Sequence, residues 1–526
     1  MTTTPALLSQ LSEAERFRRF EHLQGKMAAA WAAIGAGHED ETVVVLPSLS
    51  LETLVSVDAE GSSGTAIQAM EERFLFLLVL LRQPRLHLVY VTSLPIASEI
   101  VEYYLALLPG VIPSHARARL TLVSLNDASP RPLSEKLLAR PRQLRRIAAL
   151  VRNRDRAHLV PYNTTTLERD VALSLGIPLY GADPRLAAWG TKSGCRRLFA
   201  EVGVPHPPGA EDLHSPDDLV QAIALMRAER PATRSVIVKL DEGVSGRGNA
   251  VVMLDEVPAP GHPDEPAVLR ERLRSLAPES PTVTVDGYLE ALAAGGGIVE
   301  ERVVGEEVRS PSVQLRVLPD GRVELLSTHD QLLGGTSGQS YLGCVFPASE
   351  EYAALIADCA RPVGARLAEL GVLGRFAVDF VVVRSSDGTW SPYAIELNLR
   401  KGGTTHPFLT LQFLTDGSYD AERAAFLTPT GERKHLVATD HLESDLLRGL
   451  LPADLFDIVA RRGLHFDQSR QEGIVFHMVS SLTEHGRVGF TAVGDTPDEA
   501  WRRYRQTEQL LLEEARLALE EQPLPA

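Results

Sequence analysis

Between Ala394 and Gly403 the chain reads AIELNLRKGG, and upstream Asp379 sits inside the apolar segment RFAVDFVVV. Glu396 and Asn398 alternate with Ile395, Leu397 and Leu399. At a strand's period of two, the polar pair leaves one face and the apolar residues leave the other. Asp379 is the only carboxylate in its segment, and burying it among Val and Phe is costly unless a cation or a donor compensates it. Three hard oxygen ligands on neighbouring strands suit Mg2+, which prefers octahedral oxygen coordination and is usually held by one or two carboxylates plus substrate phosphates. ATP is therefore the first ligand these residues predict.

A second stretch, SVIVKLDEGVSGRGNAVVML, reads as strand, glycine-rich turn, strand. Gly243, Gly246 and Gly248 permit positive φ and close backbone approach, so the amides around Ser245 can gather about phosphate oxygens, while Lys239 supplies a point charge at the end of the first strand. A plain β-hairpin would carry the same glycines. No GK[ST] follows and no helix opens at the last glycine, so this is neither a Walker A loop nor a dinucleotide-binding turn.

These residues need elements to hold them. From Thr42 to about Pro184 short apolar runs alternate with helical patterns, which predicts an α/β layer with a mostly parallel sheet. Ser93, Asp127 and Asn163 fall near its predicted strand ends. Asp255 to Pro281 is a proline-rich surface excursion with one helical island. From about Asp440 the reading is a helical start, the strand GIVFHMVSSL, a turn at His485 and Gly486, the strand RVGFTAVG and a last helix with Thr496 as N-cap, Pro497 at its first position and Glu499 completing a capping box. The expected domains are 1–184, 185–439 and 440–526, and 526 residues exceed what one core usually supports.

A formal net charge of -16 argues against a nucleic-acid surface, which draws on clustered Lys and Arg. Cys195, Cys344 and Cys359 follow no disulfide or zinc spacing. The N-terminus lacks the basic and apolar parts of a secretory signal, and the longest apolar run, Phe74 to Leu81, is too short to span a bilayer, so a cytoplasmic protein without membrane contact is expected.

Along the chain Lys192 opens a helix, Lys239 precedes the glycine turn, IVEERVVGEEV follows, and Asp379, Glu396 and Asn398 come last. This order resembles the ATP-grasp superfamily over roughly Gly181 to Pro429. GTKSGCRRLFAEVGVPHPPG, EGVSGRGNA and IELNLRKGGTTHPF are similar to the pheganomycin-type peptide ligases, and GIVFHMVSSLTEHGRVGFTAVGDTPDEA is similar to their C-terminal domain. The resemblance implies a multidomain α/β and α+β architecture: an N-terminal α/β domain, an ATP-grasp fold of two α+β subdomains gripping ATP, and a small C-terminal α+β domain. It implies a carboxylate-amine ligase that forms an amide or peptide bond through an acyl phosphate.

Carried onto this sequence, Lys192 and Lys239 would hold the α- and β-phosphates, and the turn from Gly243 to Gly248, with Ser245 and Gly246, would close over them. The segment from Glu300 through Glu301 and Val303 to Glu307 would form the adenine hinge, Glu300 meeting the exocyclic amine and Glu307 the ribose. Asp379, Glu396 and Asn398 would hold two Mg2+ ions, with Mn2+ as an alternative. Arg400, Arg316 and Arg375 are the candidates for steadying the acyl phosphate, and Arg316 could equally pair across strands with Glu324. The dipeptide-forming relatives carry an arginine two residues before the first metal carboxylate, where this chain has Ala377. The substrates implied are a small carboxylate and a small amine, an amino acid or peptide, with a homodimer as the superfamily's common assembly. The alternatives are a carboxylase or phosphotransferase of the same superfamily, which the N-x-R pattern of Asn398 and Arg400 also suits, and a nucleotide-binding protein without turnover.

Overall fold

The structure is a computed structural model that describes residues 8–36, 40–50, 64–243, 248–280, 283–334 and 340–520. Near its start, the strands Glu41–Leu46, Leu86–Thr92, Leu120–Ser124 and Ala157–Pro161 form a parallel sheet in the order third, second, first, fourth. Their apolar residues are not alternated with polar ones, because both faces are covered. Val43, Val45, Leu88 and Tyr90 enter one core, while Val44, Leu46, Val89 and Val91 enter another on the opposite side. The apolar run from Phe74 lies in the tight helix Arg73–Arg82, almost wholly buried. Among the described residues no helix is long and apolar enough to cross a membrane.

Two large antiparallel sheets follow, with a separate two-stranded ribbon of Ser418–Asp420 and Ala425–Leu427. The smaller runs Gly209–Leu213, Gly297–Glu301, Ser235–Leu240, Asn249–Met253, Ala277–Pro278, with the helices Pro216–Glu229, Glu265–Arg274 and Val285–Gly295 contributing to its core. The expected helical island is the second of these. The larger sheet places Trp390–Asn398 beside Gly374–Arg384, then Pro311–Val317, Val323–Gly334, Ser340–Phe346, His435–Glu443, Arg487–Gly494 and Gly473–His477. The short strand Glu307–Arg309 also pairs with Gly374–Arg384. Helix Ala353–Glu369 packs beneath, against Val313, Leu315, Phe376, Val378 and Phe380.

The third region differs from the expected helical start at Asp440. HLVATDHLE forms a strand, His435–Glu443, that crosses the expected division and is bonded on one side to Ser340–Phe346 and on the other to Arg487–Gly494. A strand buried between two neighbours satisfies its backbone groups at every step, which outweighs weak helical propensity. The C-terminal region thereby extends the large sheet. Its last helix, Pro497–Glu520, starts as the sequence predicts, with Thr496 Oγ1 accepting from the Glu499 amide at 3.2 Å. The Glu499 carboxylate takes the Asp495 amide at 3.1 Å, one residue before the amide a capping box would use.

Candidate active site

Gly374–Arg384 and Trp390–Asn398 pair antiparallel, with Asp379 directly opposite Glu396 and Ala377 opposite Asn398. Phe376, Val378, Phe380, Ala394 and Leu397 turn into the core, so the alternating residues Asp379, Glu396 and Asn398 share the other face. Asn398 Nδ2 donates to Asp379 Oδ2 at 3.0 Å. Burial, and then the adjacent Glu396 charge, push the Asp379 carboxyl up to about 6. Burial alone would raise Glu396 as well, but Lys192, Arg400 and Lys239 together outweigh it and hold that carboxyl below its usual value. One carboxylate thus makes its neighbour harder to ionise, and a divalent cation between them would relieve the repulsion. The donor set fits Mg2+.

Lys192 opens the helix Lys192–Glu201, where Thr191 Oγ1 caps the Gly194 amide at 3.0 Å. Its ammonium lies 2.6 Å from Glu396 Oε1 and donates to the Gly243 carbonyl at 3.3 Å. Lys239, at the end of its strand, is ion-paired with Glu300, and Arg196 lies 3.4 Å from the same carboxylate. Asp241 joins the two lysine-bearing segments: its carbonyl accepts from the Lys192 amide at 3.2 Å and its Oδ1 from the Ser193 amide at 2.7 Å. The neck of the glycine turn is tight, since a Cβ on Gly248 would fall 2.8 Å from the Gly243 Cα. Ser245 and Gly246 lie outside the described residues.

The other expected residues are distributed as follows. Glu300 is buried with its carboxylate taken by Lys239 and Arg196. Glu301 turns away to Arg230 at 2.6 Å and Thr233 at 2.9 Å, and half-buried Val303 follows the strand end. Glu307 pairs with Arg309 at 2.6 Å and Arg384 at 3.6 Å. Arg316 makes the cross-strand pair, 2.6 Å from Glu324. Arg375 faces the same side as Asp379 but four residues earlier, about 13 Å along the strand. Arg400 has no hydrogen-bond or ion-pair partner among the described residues, and its charge favours ionisation of both Asp379 and Glu396. The structure therefore groups Lys192, Lys239, Asp379, Glu396, Asn398 and Arg400, and sets Arg316 and Arg375 apart from the carboxylates.

Sequence reasoning missed several neighbours. Arg196 stands four residues after Lys192, one helical turn away, which was a readable signal. Ser312 supports Asp379 through a hydrogen bond, and Gln314 Nε2 donates to Thr404 Oγ1 at 2.7 Å; both alternate with the apolar residues of Pro311–Val317. The glycine-started loop after Asn398 does predict substrate contacts for Thr404, Thr405 and His406, or a turn cap before Pro407; His406 joins a buried group with His477 at 3.1 Å and Asp440 at 3.2 Å, and Arg73 lies 2.8 Å from Asp440. Those four come from distant segments, and nothing in the sequence linked them.

Residues 184–258 and 265–422 match a family described as IQCH-like, ATP-grasp, and residues 454–507 match the PGM1 C-terminal domain. Over 450 residues the chain is 30% identical to L-propargylglycine--L-glutamate ligase of Streptantibioticus cattleyicolor, covering 84% of this chain and 89% of that protein. The chain belongs to the ATP-grasp ligases of the pheganomycin type. It is an ATP-dependent carboxylate-amine ligase with the multidomain α/β and α+β fold that its motifs imply. This ATP-grasp ligase is also 24% identical over 525 residues to IQ motif-containing protein H of Danio rerio, where the match takes in 90% of the chain and 49% of that protein. Among solved structures it is similar to biotin carboxylase of Campylobacter jejuni, with a TM-score of 0.53 at 13% identity over 92% of this chain and 96% of the other, a likeness of fold alone.

Proposed function

We propose that the enzyme joins two amino acids, or an amino acid and a peptide, by first converting a carboxylate into its acyl phosphate with Mg2+ and ATP. The observation that carries this is the register of Asp379 against Glu396 with Lys192 bonded to the latter. It gathers two carboxylates and an ammonium, groups suited to a divalent cation and a phosphate, on one small surface. The S. cattleyicolor relative is named for two amino acids, which supports the substrate class.

A carboxylate resists attack by an amine because its carbon is electron-rich and oxide is a poor leaving group. In the first step a carboxylate oxygen attacks the γ-phosphorus and ADP departs with the electrons of the broken P–O bond. In the second, the amine's lone pair attacks the acyl carbon, phosphate leaves with the C–O electrons, and the nitrogen gives up a proton. Catalysis here is mainly positioning and charge neutralisation. Lys192 and Lys239 bind and orient the phosphates, the Gly243 to Gly248 turn excludes water from the acyl phosphate, and Arg400 steadies the transferring phosphoryl group in a fork of N–H donors. Asp379, Glu396 and Asn398 are the residues that would hold Mg2+, which when bound offsets negative charge on the phosphate oxygens.

The test is to supply ATP, Mg2+ and a panel of amino acids with hydroxylamine as the amine. Hydroxamate in step with ADP supports the route. ADP release that needs bicarbonate and no amine would move the enzyme to the carboxylase branch.

A further inference from the structure

A second group of polar residues lies on the same sheet face, beyond the carboxylates and against the N-terminal domain. Arg316 and Arg375 are direct cross-strand partners. Like charges set opposite each other in a sheet are destabilising, so the arrangement needs a compensating anion. Glu324 neutralises Arg316 at 2.6 Å, but Arg375 has no carboxylate or hydrogen-bond partner among the described residues. Lys401, whose ammonium feels the Arg375 charge, is buried too; it donates to the Pro161 carbonyl at 2.5 Å and has no carboxylate partner among the described residues either. Three cations thus share one carboxylate.

The wall facing them comes from the N-terminal domain. Gly374, at φ +96°, abuts Gly181, since a Cβ on it would lie 3.1 Å from the Gly181 Cα, and this brings Tyr180 beside Arg375. Tyr180 is 6% exposed, stacks on Trp31 with ring centroids 4.7 Å apart, and feels the charges of both arginines. Its hydroxyl is buried with no hydrogen-bond partner among the described residues, as is Nδ1 of the neighbouring His158. A buried hydroxyl left unpaired costs free energy that a ligand can recover. Burial and the Arg316 charge pull the Arg375 guanidinium down to about 10, and burial with Arg375 pulls the Lys401 ammonium down to about 7, the direction expected of cations awaiting an anion.

We propose that Arg375, with the Tyr180 hydroxyl and Lys401, receives a carboxylate that a substrate carries in addition to the one being activated. The chemistry is a guanidinium fork meeting a planar carboxylate, with a phenol donor completing it. Resting on the ligase reading above, it defines a substrate as a dicarboxylic amino acid or a peptide with a free carboxylate. Standing about 13 Å along the strand from Asp379, the group is placed for the far end of a substrate and not for the transferring phosphoryl.

The test is calorimetric titration of the full chain, without nucleotide, with glutarate, with its uncharged isostere glutaramide, and with inorganic phosphate. Because nothing turns over, the result is independent of whether an acyl phosphate forms. Glutarate should bind and glutaramide should not, with phosphate weaker than glutarate. Arg375→Gln should weaken glutarate by about tenfold or more, Arg375→Lys should recover part of the loss, and Tyr180→Phe should weaken it a few-fold. Glutaramide binding as well as glutarate, phosphate binding more tightly than glutarate, or no glutarate binding at all would overturn the proposal. If Arg375→Gln does not fold, by circular dichroism, Tyr180→Phe decides the matter, and native affinity in that variant counts against the site.

Discussion

Lys192 Nζ lies 2.6 Å from Glu396 Oε1, so a buried ammonium and a half-buried carboxylate hold each other in place. Each neutralises the other's charge, and under the proposed function a phosphate and Mg2+ would each offer one of them a new partner of opposite sign.

Lys192→Met should therefore cost ATP affinity. Loss of charge-assisted hydrogen bonds is worth about 1.5–3 kcal/mol, which is roughly 10- to 100-fold in the dissociation constant. Equilibrium ATP binding checks it.

Arg400 has no partner among the described residues to lose, and its charge bears on both Asp379 and Glu396. Arg400→Gln should lower the rate of acyl-phosphate formation by about 100- to 1000-fold, with a much smaller effect on ATP affinity. Single-turnover hydroxamate formation separates the two.

Part of this was legible in the sequence because strand alternation carries direct geometric information. AIELNLR and RFAVDFV placed their polar residues on one face from period alone, and the structure adds the register that sets Asp379 opposite Glu396. Lys192, Lys239 and the glycine turn were readable from local order. The Arg316 alternatives stayed open until register set Arg316 opposite Glu324. What could not be read was assembly between distant segments. Tyr180 and Arg375 are separated by 195 positions in sequence, and the Arg73, His406, Asp440 and His477 group is drawn from three regions. The helical start expected at Asp440 failed for a related reason: His435–Glu443 is a strand because two neighbours accept it, a fact that lies in tertiary pairing.

That buried group carries its own prediction. Asp440 is bonded to Arg73 at 2.8 Å and to His477 at 2.7 Å, and all three are buried. Asp440→Asn would leave the Arg73 guanidinium charged and uncompensated, at a cost of about 3–5 kcal/mol. Chemical denaturation should show that loss, with a much smaller change for a surface pair such as Arg461 and Asp457.

Glu72 predicts a pH dependence. Its buried carboxylate accepts the Val479 amide at 2.6 Å and the Ser480 amide at 3.1 Å, yet burial pushes it up to about 7. Because the folded protein holds this proton more tightly than the unfolded chain, the group's contribution is most favourable below the unfolded value of 4.5 and is lost as pH rises toward about 7. The stability of the native protein minus that of Glu72→Gln should thus fall by roughly 3 kcal/mol between about pH 4.5 and about pH 7, then level off. Paired urea titrations across that range measure the slope, and a difference that rises with pH would reverse the sign.

The central claim is that Asp379, Glu396 and Asn398 gather Mg2+ around the phosphates of ATP. Its most direct measurement is Mg2+-dependent ADP formation by the native enzyme and by Glu396→Gln, with circular dichroism confirming that both are folded. The native enzyme should form ADP only with Mg2+ and an acceptable carboxylate, and the variant should fall by about a thousandfold or more. A folded Glu396→Gln enzyme that forms ADP at the native rate, with the same Mg2+ requirement, would contradict it.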